Sequence, residues 1–133
     1  MALQFSVAVR NASLDAIETA IGVSPTLEIR SGAAPATCAT AASGTVLATL
    51  VLPADFFAAA AAGAKTILGT WQDASADATG TAGHVRINQG ATCHIQGSIT
   101  ATGGGGDMTL DNVSIAAAQQ VTVTAFTINA GGA

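Results

Sequence analysis

From residue 26 onward the chain breaks into short strand-like runs separated by turn signals, several with apolar residues at every second position and one, 45–52, apolar on both faces or nearly so. The runs are "TLEIRSG" (26–32), "TVLATLVL" (45–52, ended by Pro53), "KTILGTWQD" (65–73), "HVRIN" (84–88), "TCHIQGSITA" (92–101), "DMTLDNVSIA" (107–116) and "QVTVTAFTIN" (120–129). Alternation puts successive side chains on opposite faces of a strand, and short strands punctuated by turn signals are the pattern of a sheet sandwich. The expected fold is all-β: one domain over 1–133, an antiparallel, jelly-roll-like β-sandwich with one short N-terminal helix. In the last run the alternation slips at Phe126, which predicts a bulge.

The N-terminal end carries two patterns. Leu3, Phe5, Val7 and Val9 repeat the strand period, so residues 1–10 read as a strand or an extended arm. Ser13 then offers an N-cap, Leu14, Ile17 and Ile21 share a helical face, and Gly22 is a stop; this predicts a helix over 13–21. "ADFFAAAAAGA" (54–64) reads equally as a turn or two of helix or as an irregular connection. Residues 33–44 and 74–83 read as loops.

"TGGGGDM" (102–108) raises the question of a phosphate-binding loop. Such a loop needs a following helix and, in its common form, a Lys. Here Asp107 and a strand-like run follow, so the glycines are expected at the tip of a hairpin. His84, His94, Cys38 and Cys93 are the soft metal ligands available, but Cys93 and His94 point to opposite faces of one strand and no Cys-x-x-Cys spacing occurs, which argues against a metal site. Asp73, Asp77, Asp107 and Asp111 lack the dense spacing of a calcium loop and are expected to cap turns. No nucleophile elbow and no poised pair of carboxylates is recognisable, and with one Trp and no Tyr the chain has few rings for stacking sugars. These readings predict a protein that is not an enzyme, with no catalytic residues, no cofactor and no small-molecule substrate.

Composition points the same way. Charged residues are 9% of the chain and the net charge is −4, with Arg10, Arg30, Lys65 and Arg86 the only strong bases. Four scattered cations cannot neutralise many phosphates, so nucleic acid is not an expected partner. No apolar run is long enough to span a membrane, and the N-terminus lacks a signal-peptide pattern, so folding in the cytoplasm of the producing cell is expected. Two cysteines are too few for a disulfide framework; two buried thiols are the favoured expectation over a Cys38–Cys93 bridge. So little charge suits a surface covered by neighbours. The expected contact residues are Leu3, Phe5 and Val7 in the arm, and Phe56 and Phe57 beside the alanine run.

The stretches "TLEIRSGAAP" (26–35), "GTVLATLVL" (44–52), "GTAGHVRI" (80–87) and "GSITATGGGGDMTLDNVSIAAAQQVTVTAFTINAG" (97–131) resemble small β-rich virion structural proteins of tailed bacteriophages. The shared features are turns and strand patterns. The resemblance implies a virion location, on the capsid surface in preference to the tail, and manufacture in a bacterial cytoplasm. It implies a capsid decoration, or cement, protein whose partners are the major capsid protein and copies of itself. A tail or neck component (tube, collar or fibre-associated) is the alternative, and a carbohydrate-binding or adhesive module a third.

Overall fold

The computed structural model describes residues 2–133. A helix, α1 (Val7–Ile21), starts well before Ser13, so of the strand or arm expected over residues 1–10 the part from Val7 is helical, residues 2–6 form no strand, and residue 1 lies outside the described residues. Ser6 takes the capping role: extended at φ −62° and ψ 159°, it accepts the Val9 amide on Oγ at 3.3 Å. Ser13 lies inside the helix and donates to the Arg10 carbonyl at 2.8 Å. A lone strand would leave its backbone groups unpaired, whereas a helix satisfies most of its own, so the helical pattern of Leu14, Ile17 and Ile21 propagates back to the first good cap. At the other end Gly22, at φ 90°, returns its amide to Glu18 O as the sequence predicts.

Ten strands follow: β1 (Thr26–Ser31), β2 (Val46–Val51), β3 (Ala64–Thr66), β4 (Trp71–Asp73), β5 (Gly80–Gln89), β6 (Thr92–Ala101), β7 (Met108–Leu110), β8 (Ser114–Ile115), β9 (Val121–Val123) and β10 (Thr127–Asn129). The main sheet runs β2-β1-β5-β6-β7, with β8 pairing the start of β5. Two ribbons, β3–β10 and β4–β9, are antiparallel pairs. The protein is therefore mostly β, rich in antiparallel pairing, with one helix.

Three expected strands are split. Gly69, at φ 76°, divides 65–73 into β3 and β4. The run 107–116 divides into β7 and β8, and 120–129 divides into β9 and β10. At this last break Phe126 turns inward, and the two halves bond to different partners instead of forming one bulged strand.

The core lies between one face of the main sheet and the two ribbons. Leu27, Ile29, Val85 and Ile87 point into it from β1 and β5. Opposite them is an aromatic cluster: Phe56 to Phe57 at 4.9 Å between ring centres, Phe57 to Trp71 at 5.5 Å, and Trp71 to Phe126 at 6.2 Å, all tilted. Trp71 Nε1 donates to the buried Phe56 carbonyl at 3.2 Å. Large rings at these tilted spacings combine area burial with favourable edge contacts. The stretch 54–64 is irregular, not helical, because both its phenylalanines are drawn into this cluster.

The four glycines do not form a hairpin tip. β6 and β7 are parallel neighbours, with Ile99 beside Met108 and Ala101 beside Leu110. Parallel neighbours usually need a long crossover. Here the paired stretch is three residues, so the return path is roughly 10 Å, within reach of the connecting residues 102–107. Folding so tightly uses every glycine. Gly103 and Gly105 adopt φ 88° and 80°, while a Cβ on Gly104 would stand 2.7 Å from Thr100 Cβ, and one on Gly106 2.9 Å from Thr100 N. Asp107 closes the loop by accepting Ser98 N at 2.8 Å and Ser98 Oγ at 3.0 Å on Oδ2. Its carboxylate caps the β6 edge.

Candidate functional site

The five residues expected to touch partners fall into two groups. Phe56 and Phe57 are buried in the aromatic cluster, 0% and 1% exposed, so in this fold they contact the protein's own core and present no surface. The sequence placed them beside a smooth alanine run, but Trp71 and Phe126 come from distant segments to cover them. Leu3, Phe5 and Val7 are gathered at the start of α1 and remain accessible, at 77%, 47% and 48%; Val9 beside them is 50% exposed. Phe5 is anchored through its amide, which donates to Gly132 O at 2.7 Å, so residues 2–4 extend beyond a fixed point.

From Phe5 a depression of about 410 Å³ runs between α1 (Val9, Leu14, Ile17) and the backbone of residues 128–131. It shares Ile17, Ile128 and Asn129 with a second depression of about 500 Å³. The second lies between the His94–Gly97 stretch of β6 and β10, floored by the half-buried Ile95 and Ile128 and by Phe126. Together they form one groove. Its residues were not legible as a site in the sequence, because Ile95 and Ile128 follow the same alternation as core positions.

The outer face of the main sheet is a polar bed for a loop. Glu28 lies opposite Arg86, Arg30 opposite His84, and Arg86 opposite Gln96. These side chains hold the irregular segment 32–44 through its carbonyls: His84 Nδ1 to Gly32 O at 2.8 Å, Gln96 Nε2 to Pro35 O at 2.8 Å, and Arg86 to Cys38 O at 2.7 Å and Thr40 O at 3.2 Å. Arg30 bonds Glu28 at 2.9 Å and reaches Ser43 O at 3.3 Å. A Cys38–Cys93 disulfide fixes the centre of the loop to β6, correcting the expectation of two free thiols. The sequence offered no spacing signal for that bridge, since only the fold brings residues 38 and 93 together.

Lys65 is a second feature that the sequence did not mark. It is 2% exposed and donates to Asp15 at 2.6 Å, Glu18 at 3.1 Å and Ala58 O at 3.0 Å, which occupies all three of its N–H bonds. Burial alone would lower its pKa, but the hydrogen bonds it donates to Asp15 and Glu18 more than offset this and hold it above the ordinary lysine value. The Lys65 hydrogen bond, aided by the Ala60 amide, holds the Asp15 carboxyl below its ordinary value. The cluster fastens α1 to residues 57–65 and has no free donor to offer a ligand. An acid pair at i and i+3 on the helix is the signal that could have marked it.

The remaining candidates act locally. Asp73 accepts Thr49 N at 2.9 Å and Asp77 accepts Thr49 Oγ1 at 2.6 Å, so both tie the 73–77 turn to β2. Asp111 approaches Thr102 Oγ1 at 3.5 Å, across the end of the glycine loop. His84 is fully buried and His94 lies on the exposed rim of the groove. Among the described residues, no three His, Cys, Asp or Glu side chains gather in one place, and no helix is long and apolar enough to cross a membrane. No family model matches the chain, and neither a curated protein nor a solved structure matches it. What the accessible geometry offers is an apolar arm and an apolar groove, both suited to contact with another protein chain.

Proposed function

We propose that this protein is a structural component of a tailed-phage virion, a decoration protein that binds across adjacent subunits of the capsid lattice. The observation that carries the reading is the accessible, uncharged arm of Leu3, Phe5 and Val7 on a chain with 9% charged residues. Exposed apolar residues concentrated at one end of such a chain are favoured at a protein contact and costly in free solution. The resemblance of its strand and turn patterns to small virion proteins is what supports the partners named in this reading: the major capsid protein and further copies of the chain. The ribbons β3–β10 and β4–β9 would form the second layer of a jelly-roll-like sandwich. A protein that binds only the assembled shell stabilises that state by mass action.

The loop bed and the Lys65 cluster fit this role, since each spends its polar groups on holding the fold together. Quantitative mass spectrometry of purified particles tests the assignment. Copy numbers comparable to the major capsid protein are expected; a copy number near a dozen would instead place the chain in the tail or neck.

A further inference from the structure

We infer that the groove between β6 and β10 is the seat for residues 2–5 of a second copy of this chain, inserted as an added strand. The inference goes beyond the virion reading and does not depend on it, because it concerns the purified protein alone.

The groove has the form of a missing strand. Over Thr92–Gly97, β6 pairs with β5 alone, and β10 pairs with β3 alone, so each strand has a neighbour on one side only. The outer edge of β2 is blocked. On the outer side of β2, Asp73 takes Thr49 N at 2.9 Å, while Leu47 O accepts Asp77 N at 2.8 Å and Ala78 N at 3.3 Å. On β6 itself, Asp107 caps Ser98 where the pairing with β7 ends. An open edge is a template for another chain, and folds that block some edges and leave one open beside an apolar floor are built for strand addition.

The floor and rim specify the occupant. Ile17, Ile95, Phe126 and Ile128 require apolar side chains, and Asp107, the carboxylate at the rim, is already committed to Ser98. The segment should therefore be extended, apolar at alternate positions and uncharged. Residues 2–5, "ALQF", lie outside any helix or strand, carry Leu3 and Phe5 at alternate positions, and residues 2–9 carry no charged side chain. In the isolated chain Phe5 lines the groove's continuation and its amide bonds Gly132 O, a contact that exchange replaces, while Leu3, 77% exposed, already lies outside it. Two copies related by a twofold axis can each place an arm in the other's groove. A four-residue strand spans only about 13 Å and falls short of the ~800 Å² per partner that stable complexes bury. Reciprocal exchange doubles the contact, and the exposed Val7 and Val9 at the root of each arm extend it.

The test uses the full chain in sedimentation-velocity runs over a wide concentration range. A concentration-dependent dimer or larger species is expected. Leu3→Asp removes a buried leucine from both arms of the reciprocal dimer and should weaken association roughly a hundredfold to ten-thousandfold. Ile95→Lys should do the same from the groove side, with unchanged circular dichroism showing that each variant folds. Mixed together, the two variants retain one intact arm and one intact groove and should form a heterodimer that neither forms alone. A wild-type protein that stays monomeric throughout overturns the inference. So does an oligomer whose affinity is unmoved by Leu3→Asp, or a pair of folded variants that do not complement.

Discussion

Replacing Cys38 and Cys93 by serine tests how the outer face of the sheet is held. The bridge joins residues 55 apart in sequence. Opening a loop of that size returns conformational freedom to the unfolded chain equivalent to about 4 kcal/mol at 25 °C. The folded state should change little, because Arg86, Gln96 and Arg30 still bind the carbonyls of Cys38, Thr40, Pro35 and Ser43. Nearly the whole loss should therefore fall on the unfolded side. With an unfolding entropy of about 2 cal/mol/K per residue, Tm should drop by roughly 15 °C for a chain of this length. Urea titrations followed by fluorescence of the single, fully buried Trp71 should show a lower midpoint and a steeper m, as the uncrosslinked unfolded chain expands and exposes more surface. A double variant whose Tm and m both match the oxidised wild type would refute the reasoning. Thiol titration of the native wild type supplies the independent check: no reactive thiols should be found.

Two further substitutions probe the other unusual contacts. Gly106→Val places a side chain against Thr100 N and should destabilise the fold by about 1–3 kcal/mol in chemical denaturation, whereas Gly131→Ala, which meets nothing within 4 Å, should be nearly neutral. For Lys65 the expectation concerns pH. Asp15 is held below its ordinary value of 3.8, so its contribution is complete above that pH and is lost as pH falls through the folded-state value. Lys65 is held above 10.5, so its contribution is complete below that pH and is lost as pH rises through its own folded-state value. Lys65→Met should lower Tm most in the centre of a Tm-against-pH profile, where the contribution is complete, and least at its acid and alkaline ends, so that both limbs flatten; a profile parallel to wild type would contradict the assignment.

The strands legible in the sequence were those whose alternation matches burial on one face. Over Thr26–Ser31 the pattern of Leu27 and Ile29 inward with Glu28 and Arg30 outward is directly visible, and β2 and β6 were found nearly to the residue. Alternation failed at the N-terminus because Leu3, Phe5, Val7 and Val9 fit a strand while Ser6 independently caps a helix, and no neighbouring strand was present to decide for the former. Local signals also could not announce partners chosen by the whole fold. Phe56 and Phe57 look like a surface pair until Trp71 and Phe126 close over them, and Cys38 meets Cys93 only once segment 32–44 lies on the sheet. The glycines of 103–106 are followed by a strand, β7, as the run after them indicated. Their actual use, returning the chain parallel to itself, depends on the shortness of β7. Of the residues expected to make contacts, Leu3, Phe5 and Val7 are accessible as the sequence suggested; the groove was not legible, since partial exposure of Ile95 and Ile128 is a property of the assembled sheets.

The division of the last strand into β9 and β10 bears on the order in which the molecule can be made. Both ribbons draw one member from residues 64–73 and the other from 121–129, some fifty to sixty positions later. On the ribosome, Trp71 and its neighbours must therefore emerge and wait for their partners, with the aromatic cluster open on the side that Phe126 will cover. The sheet pairs β1–β2, β1–β5 and β5–β6 can all form before that. Nascent chains arrested before residue 121 should expose the cluster to chaperones and proteases, and emergence of residues 121–129 should act as the latch that ends this exposure.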